Sequence, residues 1–230
     1  LKKLLLLTSS ISHLTSSVLL AQPASASSRG VGGGGALFSP SINPANSSEY
    51  YIACDMSELF HTTDFGLTYS QAHFSQFVGN HNSKMCYTST ANLLYCISYP
   101  DPAQVGIPVK SSDNGATWTP LVADPGQGSD LYSMDVDYAN PMRIIVSTYG
   151  EIFYSSNGGT SFTSIHTAAS SGTGNIVGGV FWDGNNIFIG TNDGVLLSTN
   201  AGVNWSTATI TGIPATQGIF SFCGAKVGAT

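Results

Sequence analysis

Three stretches of the chain alternate short apolar runs with small or polar turns in one shared register. YYIACDMSELFHTTD (50–64), RIIVSTYGEIFYSSN (143–157) and NIFIGTNDGVLLSTN (186–200) each read as a strand, a tight turn and a second strand. A fourth stretch, LLYCISYPDPAQVGIPVKSSD (93–113), follows the same order but inserts YPDPAQVGIP between its strands, which predicts a longer loop. Asn43-Pro44 and Asn140-Pro141 are turn signals ahead of these stretches, and Asp101-Pro102 belongs to the inserted loop. The aliphatic and aromatic residues of such runs, Ile187, Phe188 and Ile189 among them, are predicted core, and nothing in the pattern calls for a helix.

Each stretch delivers the chain into the same short segment: TTDFGLTY (62–69), SSDNGATW (111–118), SSNGGTSF (155–162) and STNAGVNW (198–205). Ser or Thr is followed two residues later by Asp or Asn, two further on by Gly, and three beyond that by an aromatic. The Asp or Asn side chain suits hydrogen bonds to the N–H groups of its own turn, Gly suits a positive φ, and the aromatic packs over the turn. The segment is a clasp between strands. Its starts recur every 43 to 49 residues, the period of propeller blades, which are four-stranded and number 4 to 8 in typical rings. The predicted fold is an all-β propeller of four-stranded antiparallel blades. It is incomplete: about four blades, then GIFSFCGAKVGAT (218–230) as the start of a fifth, leaving an open arc from a longer chain.

Composition narrows the function classes. Only 9% of the 230 residues are charged, against about 25% in an ordinary soluble protein, so the surface must be built from Ser, Thr, Asn and the 26 glycines. The net charge of −6 repels phosphate backbones and argues against nucleic acid as a partner. Lys2 and Lys3, the apolar runs Leu4–Leu7 and Val18–Ala21, and Ala24-Ser25-Ala26 read as a secretory signal (1–26) cleaved after Ala26. Residues 27–230 are then the propeller, secreted and without a membrane anchor. Polar residues from Thr8 to Ser17 interrupt the roughly 20 apolar residues that a membrane span needs.

Export permits disulfides, and Cys54, Cys86, Cys96 and Cys223 allow three pairings; a hairpin centred on Ala91 would set Cys86 opposite Cys96. No Cys/His spacing suits a metal, and no cofactor is expected. His61, His73, His81 and His166 read as surface or turn residues. Asn46-Ser47-Ser48 and Asn204-Trp205-Ser206 fit the glycan acceptor pattern.

The clasps resemble the Asp-box (BNR) motif S-x-D-x-G-x-x-W of sialidases, sortilin-type receptors and several glycoside hydrolases, with SSDNGATW the nearest match. The resemblance implies a peripheral structural role for the clasps, not a catalytic one. The segment from Gly32 to Asp64 resembles the opening of family-74 glycoside hydrolases of xyloglucanase type, whose R-T-D-I-G-G-A-Y-R pattern aligns with Ala53–His61. There the aspartate matches the general base of an inverting mechanism, which makes Asp55 the candidate catalytic residue. The family's glycine pair is replaced by Ser57-Glu58. Positions equivalent to Asp55 in later repeats are the neutral Thr148 and Thr191, so the strand itself does not require an acid.

Inverting hydrolysis needs a second carboxyl group roughly 6.5–9.5 Å from the base, and the resemblance supplies it from a second propeller beyond this chain. Catalysis is therefore expected, if at all, from a longer parent. Sialidase chemistry is excluded because its arginine triad cannot be built from Arg29 and Arg143. Tyr99, Tyr149 and Trp182 fall near strand ends, where aromatic faces stack on sugars, so the expected partner is a polysaccharide or oligosaccharide. The alternative is a non-catalytic extracellular binding or scaffold propeller.

Overall fold

The structure, a computed structural model, describes residues 27–28, 30–31, 35–100, 105–169, 174, 177–212, 214 and 217–226. The signal segment 1–26, the Asp101-Pro102 turn and the start of the family-74-like stretch at Gly32 lie outside the described residues.

Among the described residues, sixteen strands form four antiparallel meanders in strict sequence order, and no helix occurs. The first blade holds β1 (Leu37–Asn43), β2 (Asn46–Cys54), β3 (Leu59–Thr62) and β4 (Ser70–Gln71). The second holds β5 (Cys86–Tyr87), β6 (Leu94–Ser98), β7 (Ile107–Ser111) and β8 (Thr119–Pro120). The third holds β9 (Leu131–Val136), β10 (Ile144–Thr148), β11 (Glu151–Ser155) and β12 (Thr163–Thr167). The fourth holds β13 (Val177–Asp183), β14 (Asn186–Thr191), β15 (Gly194–Ser198) and β16 (Ser206–Thr207).

Period-two alternation explains the stacking. On β10, Ile144 and Val146 face the second blade and join Ile97, Leu131 and Met134, whereas Ile145 faces the other way and meets Ile187, Ile189 and Leu196 of the fourth. Between the first two blades, Tyr51, Ala53 and Leu59 meet Met85, Leu94, Val109 and Trp118. Each interface is a slab of aliphatic and aromatic side chains, and each fully buried Ile or Leu contributes about 2 kcal/mol.

The clasps form as the spacing predicts, by one mechanism in all four. The Gly66, Gly115, Gly159 and Gly202 N–H groups donate to the hydroxyls of Thr62, Ser111, Ser155 and Ser198 at 2.8–3.0 Å. The same hydroxyls donate to Asp64, Asp113, Asn157 and Asn200 at 2.7–3.0 Å. Those side chains in turn accept the N–H four residues on, at 2.9–3.0 Å. The Trp118 and Trp205 indoles donate to the Gly115 and Gly202 carbonyls, locking the aromatic over its turn. Two successive residues, not one, take positive φ: Phe65, Asn114, Gly158 and Ala201 each precede the clasp glycine at 57–67°. Clasps also join blades, because the Tyr51 hydroxyl donates to Asn114 O at 3.1 Å and the Tyr154 hydroxyl to Ala201 O at 2.8 Å.

Two expectations are corrected. Cys86 pairs with Tyr95, not Cys96, and no disulfide joins them. The connection closes with Leu93 N–H donating to Thr90 O and Asn92 at φ 63°, and the partner of Cys86 is one residue away from the one that an Ala91-centred hairpin would give. A one-residue slip sends the two side chains to opposite faces, and Cys96 lies in the slab toward the first blade, Cys86 in the slab toward the third. Residues 217–226 carry no strand. They run along the fourth blade on the face away from the third, with Phe222 N–H donating to Gly178 O and Ile219 N–H to Thr191 O. The Phe222 side chain occupies the space that a Cβ on Gly190 would need.

Candidate functional site

β2 ends at Cys54, and the Cys54 N–H closes the next turn on Glu58 O at 2.9 Å. Ser57, at the first position of the glycine pair in the family-74 pattern, adopts φ 83°, a conformation that favours glycine. Gly79 N–H donates to Ser57 O at 2.7 Å and pins the tip from outside. Asp55 is exposed. Its Oδ1 accepts Ala36 N–H at 2.8 Å, and its own N–H donates to Ala36 O at 3.3 Å, which ties the carboxylate to the start of β1.

Thr148 and Thr191 behave differently. Their hydroxyls bond within their own turns, to Glu151 and to Gly194 and Asp193. The acid at position 55 is thus not used to close its turn and stands at the blade end. Beside it, the Cys54 thiol donates to Asp55 Oδ1 at 3.7 Å; burial pushes this thiol up, and the neighbouring Glu58 and Asp55 carboxylates add to the rise. Glu58 Oε2 is buried without a hydrogen-bond partner.

Strand direction fixes which turns share an end. The β2–β3, β10–β11 and β14–β15 turns all adjoin the start of their blade's first strand, since Cys54 pairs Leu37, Thr148 pairs Leu131 and Thr191 pairs Val177. Asp55, Tyr149 and Asp193 therefore lie on one face of the propeller. Tyr149 is 48% exposed and meets Tyr132, 45% exposed, with ring centroids 6.1 Å apart. Gly174 lies against the Tyr149 ring so closely that a Cβ there would collide with it. Tyr132 was not singled out from sequence; its signal is the exposed position in the alternating β9 run LYSMDV.

Tyr99 and Trp182 are placed elsewhere. Tyr99 is 3% exposed and donates its hydroxyl to Leu131 O at 3.2 Å, so no ring face is open to a sugar. This tyrosine lies in the slab between the second and third blades. Trp182 sits at the opposite end of β13, packed against the third-to-fourth slab, with its indole donating to Asp135 Oδ1 at 2.8 Å and the Arg143 guanidinium 5.4 Å above its ring. The fold places Asp55 of the first blade and Tyr149 of the third on one face, and Trp182 at the other end of its blade.

Two histidines are more constrained than surface residues. His61 stacks on Tyr51 at 4.0 Å and bonds Glu49 Oε1 at 2.9 Å. Burial raises the Glu49 carboxyl, but hydrogen bonds from Asn43, His61 and Asn114 outweigh it and hold the group below its ordinary value. His166 bonds Asp193 Oδ2 at 2.9 Å; there too, burial is outweighed by the Ala169 N–H and His166, and Asp193 is held low. A cavity of about 260 Å³ is lined by the inner parts of all four blades, including Ser39, Lys84, Tyr132, Asp135 and Gly179. Among the described residues no three His, Cys, Asp or Glu side chains converge as metal ligands would.

No family model and no curated protein matches the chain. Solved structures do. An ancestral family-74 glycoside hydrolase superposes with TM-score 0.62 at 20% identity, over 80% of this chain and 25% of that one. The family-74 xyloglucanase from Xanthomonas campestris gives 0.58 at 15%, over 82% and 32%. The extracellular domain of a putative hybrid two-component system from B. thetaiotaomicron gives 0.52 at 13%, over 75% and 22%. The chain thus spans between about a fifth and a third of the length of these three. In fold, the chain is a four-bladed stretch of β-propeller similar to the propellers of family-74 glycoside hydrolases.

Proposed function

We propose that the chain is part of a secreted carbohydrate-active protein, its signal removed after Ala26, and that it binds polysaccharide on the face carrying Asp55 and Tyr149. The observation that carries this reading is that one face presents both an exposed, backbone-anchored carboxylate on the first blade and two exposed tyrosine rings on the third. Tyrosine faces stack on the apolar C–H faces of pyranose rings. A carboxylate fixed by the Ala36 N–H on one oxygen keeps the other for sugar hydroxyls or water. In a longer parent, Asp55 acts as the general base: it takes a proton from water as that water attacks the anomeric carbon, while a second carboxylic acid protonates the leaving oxygen.

Binding is tested by affinity electrophoresis of the chain through gels containing soluble β-glucan such as xyloglucan. Retardation that Tyr149→Ala reduces supports the reading, and migration unaffected by the polysaccharide overturns it. Catalysis is tested separately by Asp55→Asn in the longer parent, where unchanged turnover removes the general-base role. The non-catalytic alternative gains support from Asp193, another acid on this face, which is committed to His166 and the Ala169 N–H and so does not serve as a free second carboxyl group.

A further inference from the structure

Beyond the Asp55 face, and independently of it, we infer that the groove between the third and fourth blades is a second binding site, for a neutral oligosaccharide. The groove holds about 430 Å³, inside the range of small-ligand sites. It lies between β12 and the clasp of the fourth blade, at the end of the strands opposite the Asp55 turn.

Its composition points to the ligand. Trp205 and Ile165 supply an apolar floor with the exposed Val203 at its rim, and Ser161, Thr163 and Asn204 supply hydroxyl and amide groups around it. No lining residue is charged: the only titratable one is Tyr154, whose hydroxyl already donates to Ala201 O. A charged ligand would find no counter-charge there, whereas a sugar offers an apolar ring face together with hydroxyls that exchange donors and acceptors with Ser, Thr and Asn.

The aromatic is also preorganised. The Trp205 indole donates to Gly202 O at 3.0 Å, and Tyr154 braces the ring edge-to-face at 5.6 Å. A ring already fixed loses little freedom on binding. The neighbouring interface is filled instead: between the second and third blades the Leu121 side chain lies against the clasp glycine Gly159. The corresponding clasp glycine of the fourth blade, Gly202, is covered by the Tyr154 ring, and the groove remains open beside it.

The test uses the whole chain made in a host without N-glycosylation, since Asn204-Trp205-Ser206 fits the acceptor pattern. Cellohexaose and a xyloglucan heptasaccharide are the probes, followed by calorimetry and by the three tryptophan indole N–H resonances, with Trp205 assigned from Trp205→Phe. The expected result is saturable binding that moves the Trp205 resonance. Asn204→Ala and Val203→Arg, both at exposed positions, should weaken it about tenfold, the scale of one lost stacking or polar contact. Tyr149→Ala, which acts on the Asp55 face, should leave the titration of the Trp205 resonance unchanged, whatever heat the calorimeter loses from that face. Absence of saturable binding, a static Trp205 resonance, or parental affinity in both groove variants overturns the site. A Trp205 titration lost in Tyr149→Ala alone overturns it while supporting the Asp55 face, and a shifted Trp205 resonance reports on the groove even where a variant fails to fold.

Discussion

Asp135 accepts the Trp182 indole N–H on Oδ1 at 2.8 Å while its Oδ2 takes Lys84 Nζ at 2.9 Å. Asp135 is on the third blade, Trp182 on the fourth, and Lys84 leads into the second, so one carboxylate joins three blades. Trp182→Phe keeps a ring under the Arg143 guanidinium but removes the N–H, and should cost about 1.5 kcal/mol, the value of a hydrogen bond to a charged group. Asp135→Ala removes both bonds and should cost more. Urea unfolding followed by far-UV circular dichroism reads both, and midpoints equal to the parent's would contradict this account.

Arg143 makes the sharper case. Its guanidinium bonds the buried Asp137 carboxylate and the Gly184 carbonyl of the fourth blade. Arg143→Ala leaves the Asp137 charge buried and unpaired, which should destabilise by about 3–5 kcal/mol. Arg143→Ala with Asp137→Ala should recover part of that loss, as a double-mutant cycle in the same unfolding assay would show.

The blades and clasps were legible in sequence because both are local. Ser155, Asn157 and Gly159 interact within five residues, and β10 and β11 pair through a two-residue turn. What was illegible depends on count or distance. The Cys86 register turned on a single residue in the Thr88–Leu93 connection. Tyr99 and Trp182 looked like surface aromatics because their partners, Leu131 and Asp135, belong to another blade. Asp55 stood out as an acid where Thr148 and Thr191 are neutral, but its anchor on Ala36 and the Tyr132 ring beside Tyr149 are tertiary facts.

The clasps give a pH dependence with a definite sign. Hydrogen bonds from the Thr68 and Thr117 side chains, with their N–H groups and the Thr62 and Ser111 hydroxyls, hold Asp64 and Asp113 down to about 2. A carboxyl group lowered in the folded state contributes stability that is present above its unfolded value of about 3.9 and is lost as pH falls through about 2. Asn157 and Asn200 contribute no such dependence. Asp64→Asn with Asp113→Asn should therefore flatten the fall in thermal midpoint across that window while leaving the neutral-pH fold intact. An acid profile that keeps the parent's slope would show that the two clasps do not govern it.

Thiol chemistry separates the observed hairpin register from a Cys86–Cys96 bridge. Cys223 is exposed, whereas Cys86 and Cys96 are buried, and burial pushes the Cys86 thiol up to about 12. Iodoacetamide on the native chain, with no reductant, should alkylate Cys223 and spare Cys86 and Cys96, because the thiolate is the reactive form. Unfolding, still without reductant, should expose both to reaction. Peptide mass spectrometry reads the pattern, and a Cys86–Cys96 peptide resistant to alkylation after unfolding would overturn the register.

Ser57 carries backbone strain at the candidate site itself. Its φ of 83° places a Cβ where only glycine sits without penalty, a cost of about 1–2 kcal/mol. The turn tolerates it because Cys54 N–H closes on Glu58 O and Gly79 N–H grips Ser57 O. Ser57→Gly should therefore raise stability by about 1 kcal/mol, the relieved strain exceeding the added freedom of the unfolded chain. Ser57→Val should lower it, since a β-branched residue suits this conformation least. The Ala36–Asp55 bonds should survive the glycine, so polysaccharide retardation should match the parent's even as the thermal midpoint climbs. A midpoint that falls with Ser57→Gly would mean that the serine hydroxyl holds the turn and that the positive φ is not its controlling feature.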